Sequence, residues 1–242
     1  ALTLALAAAG PVWRARVPGA APMVDFVVAL DGSSSMRIQD QPGEDRWQAA
    51  RRLLSAFIDQ RPEDRFALVL FSAHPVTLSP LSADHARLQR VLGRLDLESR
   101  DDGTAIGSAL MAAVRRLEDS PARSRVILLL TDGVQNRGNL RPLEAAEEAR
   151  RRGIRVHAVG LGADGDSLVP LEGGGFAKLH VEVDHRTLQE VARLTGGEAF
   201  RAGDPAGLAR SLAAVDQLER TTLPVDPPTE SRPLGGLCLL VA

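Results

Sequence analysis

The stretch VVALDGSSSM, residues 27–36, sets four apolar residues against an aspartate, a glycine and three serines. With Phe26 in front of it the apolar run is continuous, the pattern of a strand buried on both faces of a parallel sheet. Asp31 falls where that strand stops, and open α/β sheets take their ligands at the carboxyl ends of such strands. Asp31, Ser33 and Ser35 alternate, so a compact loop can turn three side-chain oxygens toward one point.

Two further stretches carry the same chemistry. In RDDGTAIGSAL (100–110), Thr104 is expected to begin a helix after a flexible Asp-Asp-Gly turn, with its hydroxyl exposed at the helix N-terminus. In VILLLTDG (126–133), Asp132 closes another buried strand. If those two strands are neighbours, Asp31, Ser33, Ser35, Thr104 and Asp132 meet as an oxygen-only set with two negative charges. Such a set suits Mg²⁺, with Mn²⁺ or Ca²⁺ able to use the same donors, and leaves coordination positions to water or to a partner.

The rest of the chain alternates strand and helix patterns. Strand-like runs recur at 24–30, 65–72, 125–131 and 154–162, and helical patterns at 45–60, 104–117, 141–152, 185–197 and 204–220. VTLSPL (76–81) contains a proline and fits an edge strand, and GEAFRA (197–202) a short one. The expected fold is α/β: a doubly wound, mostly parallel sheet with helices on both faces and one short antiparallel edge strand.

The 242 residues are 44% hydrophobic and 25% charged, with a formal net charge of −2. That balance provides no basic field for nucleic acid. Arg150, Arg151 and Arg152 close an alanine- and glutamate-rich helix, where positive charge complements the helix dipole. Cys238 is the only cysteine, so neither an intrachain disulfide nor a cysteine zinc site is possible. Residues 1–22 and 234–242 are apolar at their outer ends and read as remnants of membrane segments, and 219–233 as a proline-rich linker after a domain over 23–218. Arg14, Arg16, Arg220 and Arg232 flank the apolar segments and favour the cytoplasmic side for the domain.

Asp31-x-Ser33-x-Ser35, Thr104 in GTAIG and Asp132 in TDG resemble the metal-ion-dependent adhesion site of von Willebrand factor type A domains. The resemblance covers roughly 23–218. It implies that the serines and the threonine contact the metal, that the aspartates hold it directly or through water, and that an acidic side chain of a protein partner completes the sphere. The succession RPEDRFALVLFS, PLSAD, GTAIGSAL, VILLLTDG, AAEEARRRGIRVHAVGLG and LTGGEAFRA is similar to the bacterial Bat (aerotolerance operon) proteins, whose type A domain lies between membrane helices of the inner membrane. Gly32 stands where many members carry another residue. The implied function is a metal-dependent protein-interaction module and not an enzyme, with a MoxR-type AAA+ ATPase or sibling Bat proteins as partners.

Competing readings are served less well. GLGADG (160–165) has the spacing of a dinucleotide fingerprint, with Asp184 downstream, but DSLVPLEGGG follows where a helix should start. An Mg²⁺-dependent hydrolase or phosphotransferase using Asp31 in the same cleft is the alternative function. Ser33 stands where such chemistry wants a second carboxylate, and Lys178 is the only lysine. The five histidines show no metal-ligand spacing.

Overall fold

A computed structural model describes residues 23–40, 43–97, 102–162, 165–170, 176–181 and 183–221, the two strands between 165 and 181 by their backbone alone. All of these fall in one compact unit, Met23–Leu223. In chain order the elements are β1 (Val24–Asp31), α1 (Arg46–Asp59), β2 (Arg65–Phe71), β3 (Pro75–Ser82), α2 (His85–Arg94), α3 (Ile106–Leu117), β4 (Ser124–Thr131), α4 (Pro142–Arg151), β5 (Arg155–Leu161), β6 (Gly165–Pro170), β7 (Phe176–Val181), α5 (His185–Thr195), β8 (Ala199–Ala202) and α6 (Pro205–Thr221). A 3₁₀ turn, Ser34–Arg37, follows β1.

Six strands form one sheet in the order β3-β2-β1-β4-β5-β8. All neighbours run parallel except β2 and β3. The expected doubly wound sheet with one antiparallel edge strand is therefore the observed one. β1 and β4 are direct neighbours, Leu30 lying beside Leu130, which brings their carboxyl ends together.

Side-chain alternation along β1 divides the core into two layers. Phe26, Val28 and Leu30 pack with Trp47, Leu54 and Phe57 of α1, Leu88 and Leu92 of α2, and Leu208 and Leu212 of α6. Val27 and Ala29 face Ile106, Leu110 and Val114 of α3, Ala145 and Ala149 of α4, and Leu188 and Val191 of α5. β1 is buried along its whole length, as its uninterrupted apolar run requires.

Local rules explain most helix limits. Asp45 accepts from the Gln48 backbone N–H at 2.7 Å while the Gln48 side chain accepts from the Asp45 N–H, a capping box that starts α1. Pro142 sits in the first turn of α4, and Gly153 after it takes φ +65°.

Several boundaries differ from the sequence expectation. α3 begins at Ile106 with Ala105 as its N-cap, so Thr104 precedes the helix and is 3% exposed rather than displayed at its N-terminus. The sequence pattern does not mark α2, nor the β6–β7 hairpin that fills the glycine-rich segment after β5. α6 spans Pro205–Thr221, within one residue of the helical pattern at 204–220, and buries Glu219 in its last turn. The apolar segments at 1–22 and 234–242, and the linker beyond 221, lie outside the described residues. Among the described residues no helix is long and apolar enough to cross a membrane.

β3 is irregular: its pairing with β2 shifts register twice, between Phe66 and Leu68 and again between Leu68 and Val69, and it carries Pro75 and Pro80.

Candidate functional site

Strand β1 ends in Asp31, whose carboxylate is fully buried. Its Oδ1 accepts the backbone N–H of Ser33 at 2.9 Å, and its Oδ2 accepts the hydroxyl of Thr131, at the end of β4, at 2.5 Å. Thr131 also accepts from the Gly133 N–H at 3.2 Å, which ties the start of the next loop to the same point.

The hydroxyls of Ser33 and Ser35 are 3.0 Å apart, and the Ser35 hydroxyl donates to Asp132 Oδ1 at 2.8 Å. Two turns of sequence a hundred residues apart thus meet because β1 and β4 are paired. Ser34, the middle serine, points elsewhere. Its N–H and its hydroxyl donate to the two oxygens of Asp102 at 3.0 and 2.7 Å, which stitches the third loop to the first. Those donors, the Ser34 N–H foremost, hold Asp102 below the usual carboxylate range.

Thr104 enters through that stitched loop. Its backbone N–H donates to Asn136 Oδ1 at 2.8 Å, its carbonyl accepts from the N–H of Asn136 at 3.1 Å, and a Cβ on Gly133 would lie 3.0 Å from its Oγ1. Ala105 N–H donates to the carbonyl of Ser72 at 2.9 Å and so fixes the loop against the end of β2. No hydrogen bond engages the Thr104 hydroxyl among the described residues, although the residue is buried.

All five residues singled out in the sequence therefore lie at one end of the sheet, Asp31 as the last residue of β1 and the other four in the loops held together there. Their electrostatics are strained. Burial pushes the Asp31 carboxyl up to about 7, and repulsion from Asp132 adds to the effect against the hydrogen bonds from Thr131 and Ser33. Asp132 is also raised, again chiefly by burial, with Arg46 and Ser35 pulling it back down.

Four participants were not legible in the sequence: Thr131, Asp102, Asn136 and Arg46. Arg46 is 5% exposed; it donates to Asp132 Oδ2 at 2.9 Å and to both oxygens of Asp40 at 2.7 Å. An arginine in the first turn of a helix opposes the helix dipole, and that mismatch was the available signal.

GLGADG opens no helix: strand β6 begins at Gly165, in keeping with the sequence reading that set the dinucleotide fingerprint aside. Asp184 caps α5, accepting from the Thr187 N–H at 3.0 Å. Of the histidines, His157 is buried against Glu219 and His85 contacts the carbonyl of Asp64 at 2.8 Å.

The fold has known relatives. The crystal structure of an aerotolerance-related membrane protein from Bacteroides fragilis superposes with a TM-score of 0.71 at 26% identity, over 83% of this chain and all of that one. BatB from Bacteroides thetaiotaomicron gives a TM-score of 0.69 at 26% identity, over 80% and 99%. A protein of Borreliella burgdorferi is 26% identical over 84% of this chain, which spans 61% of the length of that relative. The profile of the von Willebrand factor type A domain matches residues 25–193, from the buried start of β1 to α5 and across every loop of the site, and the chain belongs to that family.

Proposed function

We propose that this domain is a metal-dependent protein-interaction module in which Asp31, Ser33, Ser35, Thr104 and Asp132 hold a divalent cation, Mg²⁺ in the first instance, and an acidic side chain of a partner completes its coordination. The observation that carries the reading is the convergence of two buried, mutually repelling carboxylates with three hydroxyls, one of them without a hydrogen-bond partner among the described residues. These donors fit a hard cation. They contain no nitrogen or sulfur, and a divalent charge relieves the repulsion between the two aspartates.

Such an ion would supply a point of attachment, its remaining positions filled by water until a carboxylate displaces one. The protein's own part is to exclude other ligands, orient the hydroxyls and keep Asp31 and Asp132 in place. The likeness to membrane proteins of the aerotolerance group supports a Bat-type setting, with the domain anchored through its flanking segments. In that setting a MoxR-type AAA+ ATPase or a sibling Bat protein is the partner to test.

The experiment is capture of partners from native membranes with Mg²⁺ and with EDTA, using wild type, Thr104→Ala and Asp132→Ala, alongside calorimetric Mg²⁺ and Mn²⁺ titrations. Capture and ion uptake should both be lost in the two variants while circular dichroism stays native. Undiminished capture in EDTA by well-folded variants refutes the reading.

A further inference from the structure

Arg46 is the one buried cation against this site among the described residues, and three independent features show that the fold is arranged around it. The first is its grip. The side chain is 3% exposed and its guanidinium spans two carboxylates, donating to Asp40 through Nε and Nη2 and to Asp132 Oδ2 through Nη1. Only a planar fork can do this; an ammonium offers a point charge without the geometry.

The second is the space kept for it. Gly162 closes β5 with φ +91°, and a Cβ there would lie 2.2 Å from both Cζ and Nη2 of Arg46. Any larger residue at 162 would expel the guanidinium, quite apart from the backbone conformation that favours glycine.

The third is the order it imposes on the hydroxyls. Ser35 has one hydroxyl proton and gives it to Asp132 Oδ1, which leaves Ser33 as the donor in the 3.0 Å contact between the serines, with Asp31 as the competing acceptor of its proton. The result is a directed chain, Ser33 to Ser35 to Asp132, ending on a carboxylate whose other oxygen is fixed by Arg46. With the protons pointing along the chain, lone pairs of both serines remain for an ion. Without Arg46 the terminal carboxylate is free to turn, and the direction of the chain is lost.

We propose that Arg46 is the positioning residue of the strand-end site: anchored on Asp40, it locks Asp132, fixes the orientation of the two serine hydroxyls that lead to it and thereby sets the affinity for the divalent cation. The proposal rests on the metal reading above. Loss of a partner that orients a metal ligand costs roughly 10–100-fold in metal affinity.

The test is calorimetric titration of the full chain with Mg²⁺ and Mn²⁺, for wild type, Arg46→Gln, Arg46→Lys and Asp40→Asn, with circular dichroism and melting in EDTA as controls of folding. Affinity should fall by roughly 10–100-fold in Arg46→Gln. Arg46→Lys should not restore it, because the fork is missing. Asp40→Asn, which loosens the anchor but leaves the Asp132 contact, should fall in between and serves if Arg46→Gln does not fold. A wild-type chain that takes up no cation overturns the metal reading and this inference with it. A wild type that binds, beside a folded Arg46→Gln that binds as well or better, overturns the inference alone, as does full rescue by lysine.

Discussion

At the amino ends of the strands, Asp25, Asp64 and Glu219 are buried beside Arg65, Arg61 and Arg155; at the carboxyl ends, Asp31 and Asp132 are buried as deeply, with Arg46 between Asp132 and Asp40. Each amino-end carboxylate is matched by an arginine. Glu219 accepts from Ser124 at 2.9 Å, from His157 Nε2 at 2.9 Å and from Arg155 at 2.5 and 3.0 Å. His157 Nδ1 accepts from the Glu198 N–H, which leaves the ring proton on Nε2 facing Glu219. Burial alone would raise the Glu219 pKa, but the hydrogen bonds from His157 and Arg155 outweigh it and hold the group at about 2. Asp64 accepts the Val24 N–H at 2.8 Å and pairs with Arg61, whose guanidinium lies 4.6 Å from the ring centroid of Phe26. At the other end the same burial leaves Asp31 near 7. The buried carboxylates of the amino end are each paired with a cation, whereas Asp31 is hydrogen-bonded but has no ion-pair partner among the described residues, and its charge stays uncompensated.

The contrast can be broken most forcefully at the amino end. Glu219→Ala leaves Arg155, His157 and Ser124 facing an unfilled acceptor position, and breaking a buried pair from one side costs about 3–5 kcal/mol. Urea unfolding should show that loss in full, with or without Mg²⁺.

A somewhat smaller effect comes from pH. The folded-state pKa of Glu219 is depressed from 4.5 to about 2, so its contribution is complete above pH 4.5 and disappears as pH falls through 2. The shift corresponds to about 3 kcal/mol. Unfolding free energies from urea titrations between pH 5 and pH 2 should fall by that amount more in wild type than in Glu219→Gln, and parallel curves would refute the assignment.

The smallest effect has the opposite sign. Asp31 is raised in the folded state, so in EDTA at pH 8 its ionised form works against folding. Asp31→Asn should stabilise the metal-free domain by about 1–2 kcal/mol, because relief of the buried charge is partly offset by a hydrogen bond the amide cannot accept. Saturating Mg²⁺ should reverse the ranking, stabilising wild type and not the variant. Melting curves under both conditions decide it.

Much of this contrast was visible in the sequence at one end and hidden at the other. β1 and β4 announce themselves as continuous apolar runs because both faces are covered, and the site residues sit at the fixed offset where such runs end. The amino-end network joins Ser124, Arg155, His157 and Glu219 across as many as 95 residues, and nothing local marks any of them. Arg46, in DRWQAARR, reads as one more solvated arginine of a helix surface until tertiary packing places Asp132 and Gly162 against it. α2 was missed because HARLQRVLGR buries only Leu88 and Leu92 and includes a glycine, too thin a stripe to stand out. The β6–β7 hairpin was missed because its flanking glycines signal turns without saying what they connect.

The irregular strand β3 has a consequence for how this domain meets others. A regular outer strand offers a row of free N–H and C=O groups on which a second chain can add, and stacking of that kind propagates. Here one side of the sheet ends in a strand with two register shifts and two prolines, which lack the N–H to donate, and the other in β8, only four residues long. Lateral growth is discouraged on both flanks. Neither edge presents a second chain with a long, regular row of pairing groups.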